Sequence, residues 1–183
     1  MKGFMRKHTE FSLCGLACLL CPMQVGGYCP GCGGGAGNQS CAIARCSLEQ
    51  GGPEFCSECA AYPCARYDEF DAADSFVPHS RRAADLARAG EMGLDAWLAL
   101  LRQKRAVLDQ LLAGWNDGRR KSLYCAAVYL LEPQALRRVM EALAAQSDLA
   151  AAPAKERAQA AAALLQTEAD RAGISLKLNK GKG

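Results

Sequence analysis

Hydrophobic positions recur at helical spacing through the second half of the chain. Leu94, Trp97, Leu98, Leu101, Leu108, Leu111 and Leu112 fall on one face at i, i+3, i+4 intervals. That spacing predicts a long amphipathic helix, and Gly114 suits its end. Arg102, Lys104 and Arg105 are expected on its solvated side. Before it, Ser80 can cap a shorter helix running towards Gly90. After it, Asn116-Asp117-Gly118 marks a turn, and Ser122 can cap a helix through Leu131. Pro133 suits the first turn of a helix bearing Leu136, Val139, Met140 and Leu143. Pro153 opens an alanine-rich helix to about Ala172, with Gly173 at its end. Ile174, Leu176 and Leu178 then alternate with Ser175, Lys177 and Asn179, the period of one short strand whose partner the sequence does not reveal.

The first third reads differently. Residues 11–66 carry few large apolar side chains and many glycines, including Gly33-Gly34-Gly35 and Gly51-Gly52. Such a segment buries too little area to offset its chain entropy and needs a cross-link. Ten of the eleven cysteines lie there. The expected fold is therefore mainly α: a small irregular cysteine-rich lobe over 11–66, a helical body over 79–178, and one short C-terminal strand.

Composition removes several function classes. Half of the residues are hydrophobic and 22% are charged, a globular balance. A net charge of +3 gives no argument for nucleic acid or a membrane surface. Lys2, Arg6 and Lys7 ahead of the apolar run 13–21 imitate a signal peptide, but Glu10 interrupts the approach and several cysteines would lie in or beside the cleaved piece. A lipoprotein reading at Cys18 fails on Gly15, which stands where a large aliphatic residue is expected. The expected compartment is the cytoplasm, where dense reduced thiols point to metal rather than disulfides.

The candidate ligands are Cys14, Cys18, Cys21, Cys29, Cys32, Cys41, Cys46, Cys56, Cys59 and Cys64. Three Cys-x2-Cys pairs occur among them, and Cys29-Pro30-Gly31-Cys32 has the proline and glycine of a tight metal knuckle. Thiolate is a soft ligand, so zinc or an iron–sulfur cluster is the natural guest. The knuckle favours zinc, and ten thiolates can make two four-cysteine sites with two left over. Cys18-x2-Cys21-Pro22 has ferredoxin-like spacing and keeps 4Fe-4S clusters as the alternative. The grouping of thiols stays open at this level. The spacing Cys14-x3-Cys18-x2-Cys21 also occurs in radical S-adenosylmethionine enzymes, but the strand–helix alternation of their barrel is missing. Metal-free thiol exchange lacks the expected βαβ pattern.

His8 and His79 are expected to be solvated rather than ligands. Cys125, in the apolar run 123–128, reads as a small buried residue; its sharper reading is a reactive thiol or late ligand facing the metal segment. Arg119, Arg120 and Lys121 just before it form a solvated run that could also hold an anion.

Several stretches together resemble the domain of unknown function 3795 family of cysteine-rich bacterial and archaeal proteins. They are Cys14-Gly15-Leu16-Ala17-Cys18-Leu19-Leu20-Cys21-Pro22, Tyr28-Cys29-Pro30-Gly31-Cys32, the 41–51 stretch with Cys41 and Cys46, Phe55-Cys56-Ser57-Glu58-Cys59, and Tyr62-Pro63-Cys64. The likeness continues through 93–98, 116–125 and 174–178. Family members often carry a cysteine where this chain has Asn38. The resemblance implies a cytosolic metal-binding protein over nearly the whole chain, and no reaction. With no catalytic acid–base pair in view, the leading expectation is a zinc-stapled module for a protein or small-molecule partner. An iron–sulfur redox protein or enzyme is the alternative.

Overall fold

A computed structural model describes residues 2–35 and 41–181, so Asn38 lies outside the described residues. The α-helices are α1 (Pro22–Val25), α2 (Ala42–Glu49), α3 (Arg66–Phe70), α4 (Arg82–Met92), α5 (Leu94–Gly114), α6 (Lys121–Leu130), α7 (Pro133–Ala144) and α8 (Ala154–Arg171), with 3-10 turns at Cys18–Leu20, Cys56–Glu58 and Ser147–Ala151.

The helix-spaced apolar stripes become the core of the body. Helix α5 is central and packs on α4, α6, α7 and the Cys18–Leu20 turn, while α8 covers α6 and α7. Leu98, Leu101, Leu108 and Leu111 meet Tyr124, Val128, Leu136, Val139, Leu143 and Leu165 in one buried cluster. Alanines 158, 161 and 169 of α8 are also buried. Their small side chains let the Tyr124 hydroxyl reach the Ala158 carbonyl at 3.2 Å. No helix among the described residues is long and apolar enough to cross a membrane.

The helix-start signals were less faithful than the stripes. Neither Ser80 nor Ser122 caps: α4 begins after Arg81 and α6 after Arg120, each without a side-chain cap bond. The expected C-terminal strand is overturned, since no strand occurs among the described residues. Alternation at 174–178 survives as burial alone: Leu176 is buried and Ile174 packs on the core. The segment's neighbour is an irregular loop rather than another strand. Asn179 ties the two: it exchanges bonds of 2.7 Å with Asp74 (Asp74 N–H to the Asn179 carbonyl, Asn179 N–H to the Asp74 carboxylate), and its Nδ2 donates to the Ala72 carbonyl at 3.0 Å.

The lobe holds few apolar residues, and it divides them. Phe4, Leu13, Cys14, Ile43, Ala44 and Tyr67 form a small cluster of its own. Phe11, Ala17, Leu19, Leu20 and Phe55 join the core of the body instead. Phe11 meets Trp97 edge-on with ring centroids 5.5 Å apart. The expected solvated side of α5 is largely the docking face for this lobe. Arg102 pairs with Glu10 through bonds of 2.9 and 2.7 Å. Arg105 donates to the Leu19 carbonyl at 2.9 Å and to Gln24 at 2.8 Å. Lys104 is buried and donates to the Tyr129 carbonyl at 2.8 Å.

Gly15 sets the closeness of that docking. Its φ is +94°, and a Cβ there would overlap the Arg82 carbonyl and stand 2.7 Å from Leu86 Cγ. Gly15→Ala should therefore lower unfolding stability by about 2–4 kcal/mol, from left-handed backbone strain plus overpacking. Denaturant midpoints check this, and an unchanged midpoint refutes the docking geometry.

Burial pulls the Lys104 ammonium down to about 8, with Glu132 and Asp85 opposing that pull and Arg81 and Arg88 adding to it. Between pH 8 and the ordinary lysine value near 10.4, the folded chain has lost a proton that the unfolded chain keeps. Stability carried by this group thus rises with pH across that window. Wild type should gain up to about 3 kcal/mol relative to Lys104→Met between pH 8 and about 10.4. Parallel stability curves for the two proteins would contradict it.

Candidate metal centre

The lobe is wound by short turns that aim amides at sulfur. Ser12 starts it: the Ser12 and Leu16 backbones pair at 2.8 Å, and the Leu16 amide donates to Ser12 Oγ at 2.6 Å. Ser12 Oγ lies 3.1 Å from Cys14 Sγ, and the Leu16 amide also faces that sulfur. The Cys32 amide points at Cys18, the Leu13 amide at Cys32, and the Met23 and Gln24 amides at Cys21. Such N–H···S contacts favour a thiolate over a thiol.

Arg6 knits the same region, although its sequence setting is a charged arm. Its guanidinium donates to the Glu54 carbonyl at 3.0 and 2.6 Å and to the Phe11 carbonyl at 2.9 Å, and it lies 5.0 Å from the Phe55 ring centroid. It also bonds towards the Cys32 sulfur. The lobe thus begins before residue 11, with Phe4 and Arg6 both buried.

The ten cysteines singled out by spacing fall into neighbourhoods. Cys14, Cys18, Cys32 and Cys41 form the first. Cys14 would have its ionisation opposed by Cys32 and Cys41, and Cys18 by Cys32, Cys14 and, less strongly, Cys21. Cys46 on α2, Cys56 and Cys59 at the ends of a 3-10 turn, and Cys64 before α3 form the second. They line one small, mostly apolar cavity of about 30 Å³ with Ile43, Tyr62 and Tyr67. Cys21 belongs with Cys29, whose charge would oppose its own. Chain spacing hid this division: the Cys29-x2-Cys32 knuckle contributes to two neighbourhoods.

No disulfide joins any of the eleven cysteines. Among the described residues no group of three or more His, Cys, Asp or Glu side chains is placed so that it could hold a metal ion. Burial pushes the Cys14 thiol up to about 12, with Cys32 and Cys41 adding to it against the Ser12 hydroxyl and the Leu16 amide. Burial likewise raises Cys18 well above its ordinary value, and raises Cys21, Cys32 and Cys56. The donor set therefore mixes amides arranged for thiolates with an environment that penalises their charge, and a cation would resolve that conflict. Tyr67 adds to the second group. Its hydroxyl is buried with no hydrogen-bond partner of ordinary geometry, yet it faces the Cys56 sulfur, which a thiolate there would turn into a good acceptor.

The histidines stay outside the groups. His79 is buried rather than solvated: it stacks on Phe70 with centroids 4.4 Å apart. The Ser75 amide donates to its Nε2 at 3.2 Å, leaving Nδ1–H to donate to the Phe70 carbonyl at 2.9 Å. His8 lies on the lobe surface, its amide bonded to Glu54 at 2.8 Å. Of the cationic run, Arg120 pairs with Asp117 at 3.5 Å and Lys121 lies 5.6 Å from the Tyr28 ring centroid.

Compared with known protein families, curated proteins and solved structures, the chain matches none.

Proposed function

We propose that this is a cytoplasmic metal-binding protein whose cysteine lobe is stapled to a helical body by two four-thiolate sites, Cys14/Cys18/Cys32/Cys41 and Cys46/Cys56/Cys59/Cys64. The observation that carries the reading is the convergence of backbone amides, the Ser12 hydroxyl and the Tyr67 hydroxyl on sulfurs whose burial opposes charge. Buried thiols kept as thiols would not need those donors. The resemblance to the domain of unknown function 3795 family agrees with it.

Zinc is the leading guest. The second group's cavity has room for one or two water molecules, which suits a single tetrahedral ion better than a four-iron cube. The stapled lobe would then be a rigid module presented to a protein or small-molecule partner. An iron–sulfur reading is favoured by one observation: the depth and the amide bonding of Cys14, Cys18 and Cys32, which is also how cluster thiolates are held.

Protein made under reducing, oxygen-free conditions should be colourless and hold at least two tightly bound zinc ions per chain. Brown protein with iron would replace zinc by clusters, and metal-free, fully folded protein would end the proposal. Cys32→Ser or Cys56→Ser should each release one ion and loosen the lobe, since a structural zinc contributes on the order of 10 kcal/mol to folding. Limited proteolysis reads the lobe, and circular dichroism should show that α4–α8 persist. Undiminished protease resistance in both variants would show that the thiols are misassigned.

A further inference from the structure

Four aromatic rings stand in a column between the second cysteine group and the 71–80 loop. Tyr62 meets Tyr67 edge-on with centroids 5.5 Å apart, Tyr67 meets Phe70 edge-on at 5.9 Å, and Phe70 stacks on His79 at 4.4 Å. Tyr62 and Tyr67 line the cavity that Cys46, Cys56, Cys59 and Cys64 share. Arg82, at the start of α4, clamps the column. Its buried guanidinium lies 3.6 Å from the Tyr67 centroid and 5.8 Å from that of Phe70, and both Asp71 carboxylate oxygens accept from it.

The far end of the column is pinned by one carboxylate. Asp74 Oδ1 accepts the His79 amide and Oδ2 accepts the Asn179 amide, each at 2.7 Å. Asn179 returns its own bonds to the loop, from its carbonyl to the Asp74 amide at 2.7 Å and from Nδ2 to the Ala72 carbonyl at 3.0 Å. The same carboxylate therefore positions His79 and clasps the 174–181 segment. That segment is a strap rather than a packed layer. Leu176 is buried, but Lys177 is exposed, and an open cavity of about 510 Å³ lies between the strap and Asp71, Ser80 and Leu130.

We propose that the 174–181 strap regulates access to the second cysteine group. Seated in the Asp74 clasp, it holds the column in register and keeps the four thiols shielded. Lifted from the clasp, it frees His79 and Phe70, releases Tyr67 and Tyr62 from the cavity wall, and opens the thiols to solvent. Every link in the route is a hydrogen bond or a ring contact, and packed side chains transmit displacement because interiors compress little. Arg82 strengthens the coupling. Its Nη1 is buried without a hydrogen-bond partner, so its place depends on Asp71 and on the rings that would move. The inference rests on the shared cavity and not on what the thiols hold, so it stands apart from the two-staple reading.

The test is iodoacetamide alkylation of the full chain, as purified under reductant, read thiol by thiol through peptide mass spectrometry. Asp74→Ala and Asn179→Ala should each speed alkylation of Cys46, Cys56, Cys59 and Cys64 at least fivefold, the lower end of ordinary coupling between sites. Cys14, Cys18 and Cys32 should keep their wild-type rates. Phe70→Leu cuts the column and spares the clasp. It should accelerate the same four thiols while tryptic cleavage after Lys177, faster in Asp74→Ala, stays at the wild-type rate. Wild-type alkylation in both clasp variants would overturn the proposal, as would equal acceleration of the first-group thiols, which signals general loosening. Unchanged thiol rates in Phe70→Leu would overturn the column as the route. Asn179 is exposed, so Asn179→Ala keeps the test readable if another variant fails to fold. Metal content of the same wild-type sample tests the staples separately.

Discussion

Between residues 11 and 66 the chain must bury its few apolar side chains in two places at once. Leu13, Ile43 and Ala44 turn inward to make a small cluster with Tyr67, while Phe11, Leu19, Leu20 and Phe55 turn outward into the core beneath α5. Neither set alone resembles a domain core, because burial scales with the number of apolar groups that can share one interior. The lobe is consequently an extension of the helical body rather than a bead beside it. Its position depends on the contact of Gly15 with the α4 backbone, where no side chain intervenes.

That division explains the electrostatics. Cys14 lies within the small cluster and Cys32, Cys41, Cys56 and Cys64 pack against it, and burial desolvates Cys14, Cys32 and Cys56 there. Amides freed by the short turns supply local polarity, and Arg6 supplies a full positive charge that bonds towards a first-group sulfur, at Cys32. The guanidinium also satisfies carbonyls of Glu54 and Phe11. A soft cation added to such a frame would meet oriented dipoles rather than having to create them.

How far could the chain be read unaided? The stripes of α5 and α7 and the bounds of α8 were legible because their apolar period is long and regular, and composition marked off the cysteine-rich third. The side of α5 bearing Lys104 and Arg105 was not, since charge normally signals water and here it meets carbonyls of a neighbouring element. His79 was misjudged for the same reason, its neighbours Phe70 and Ser75 being brought to it by the fold. The 174–178 alternation was real as burial but had no edge to pair with. Cysteine spacing named candidate ligands without showing how they group, because Cys29 and Cys32 diverge only once Arg6 and Leu13 have claimed one of them.

The edge-on meeting of Phe11 with Trp97 gives the molecule an internal reporter. One of only two indoles in the chain stands where lobe and body touch. Its emission will follow the seating of the lobe while Trp115, at the far end of the same helix, serves as an internal reference.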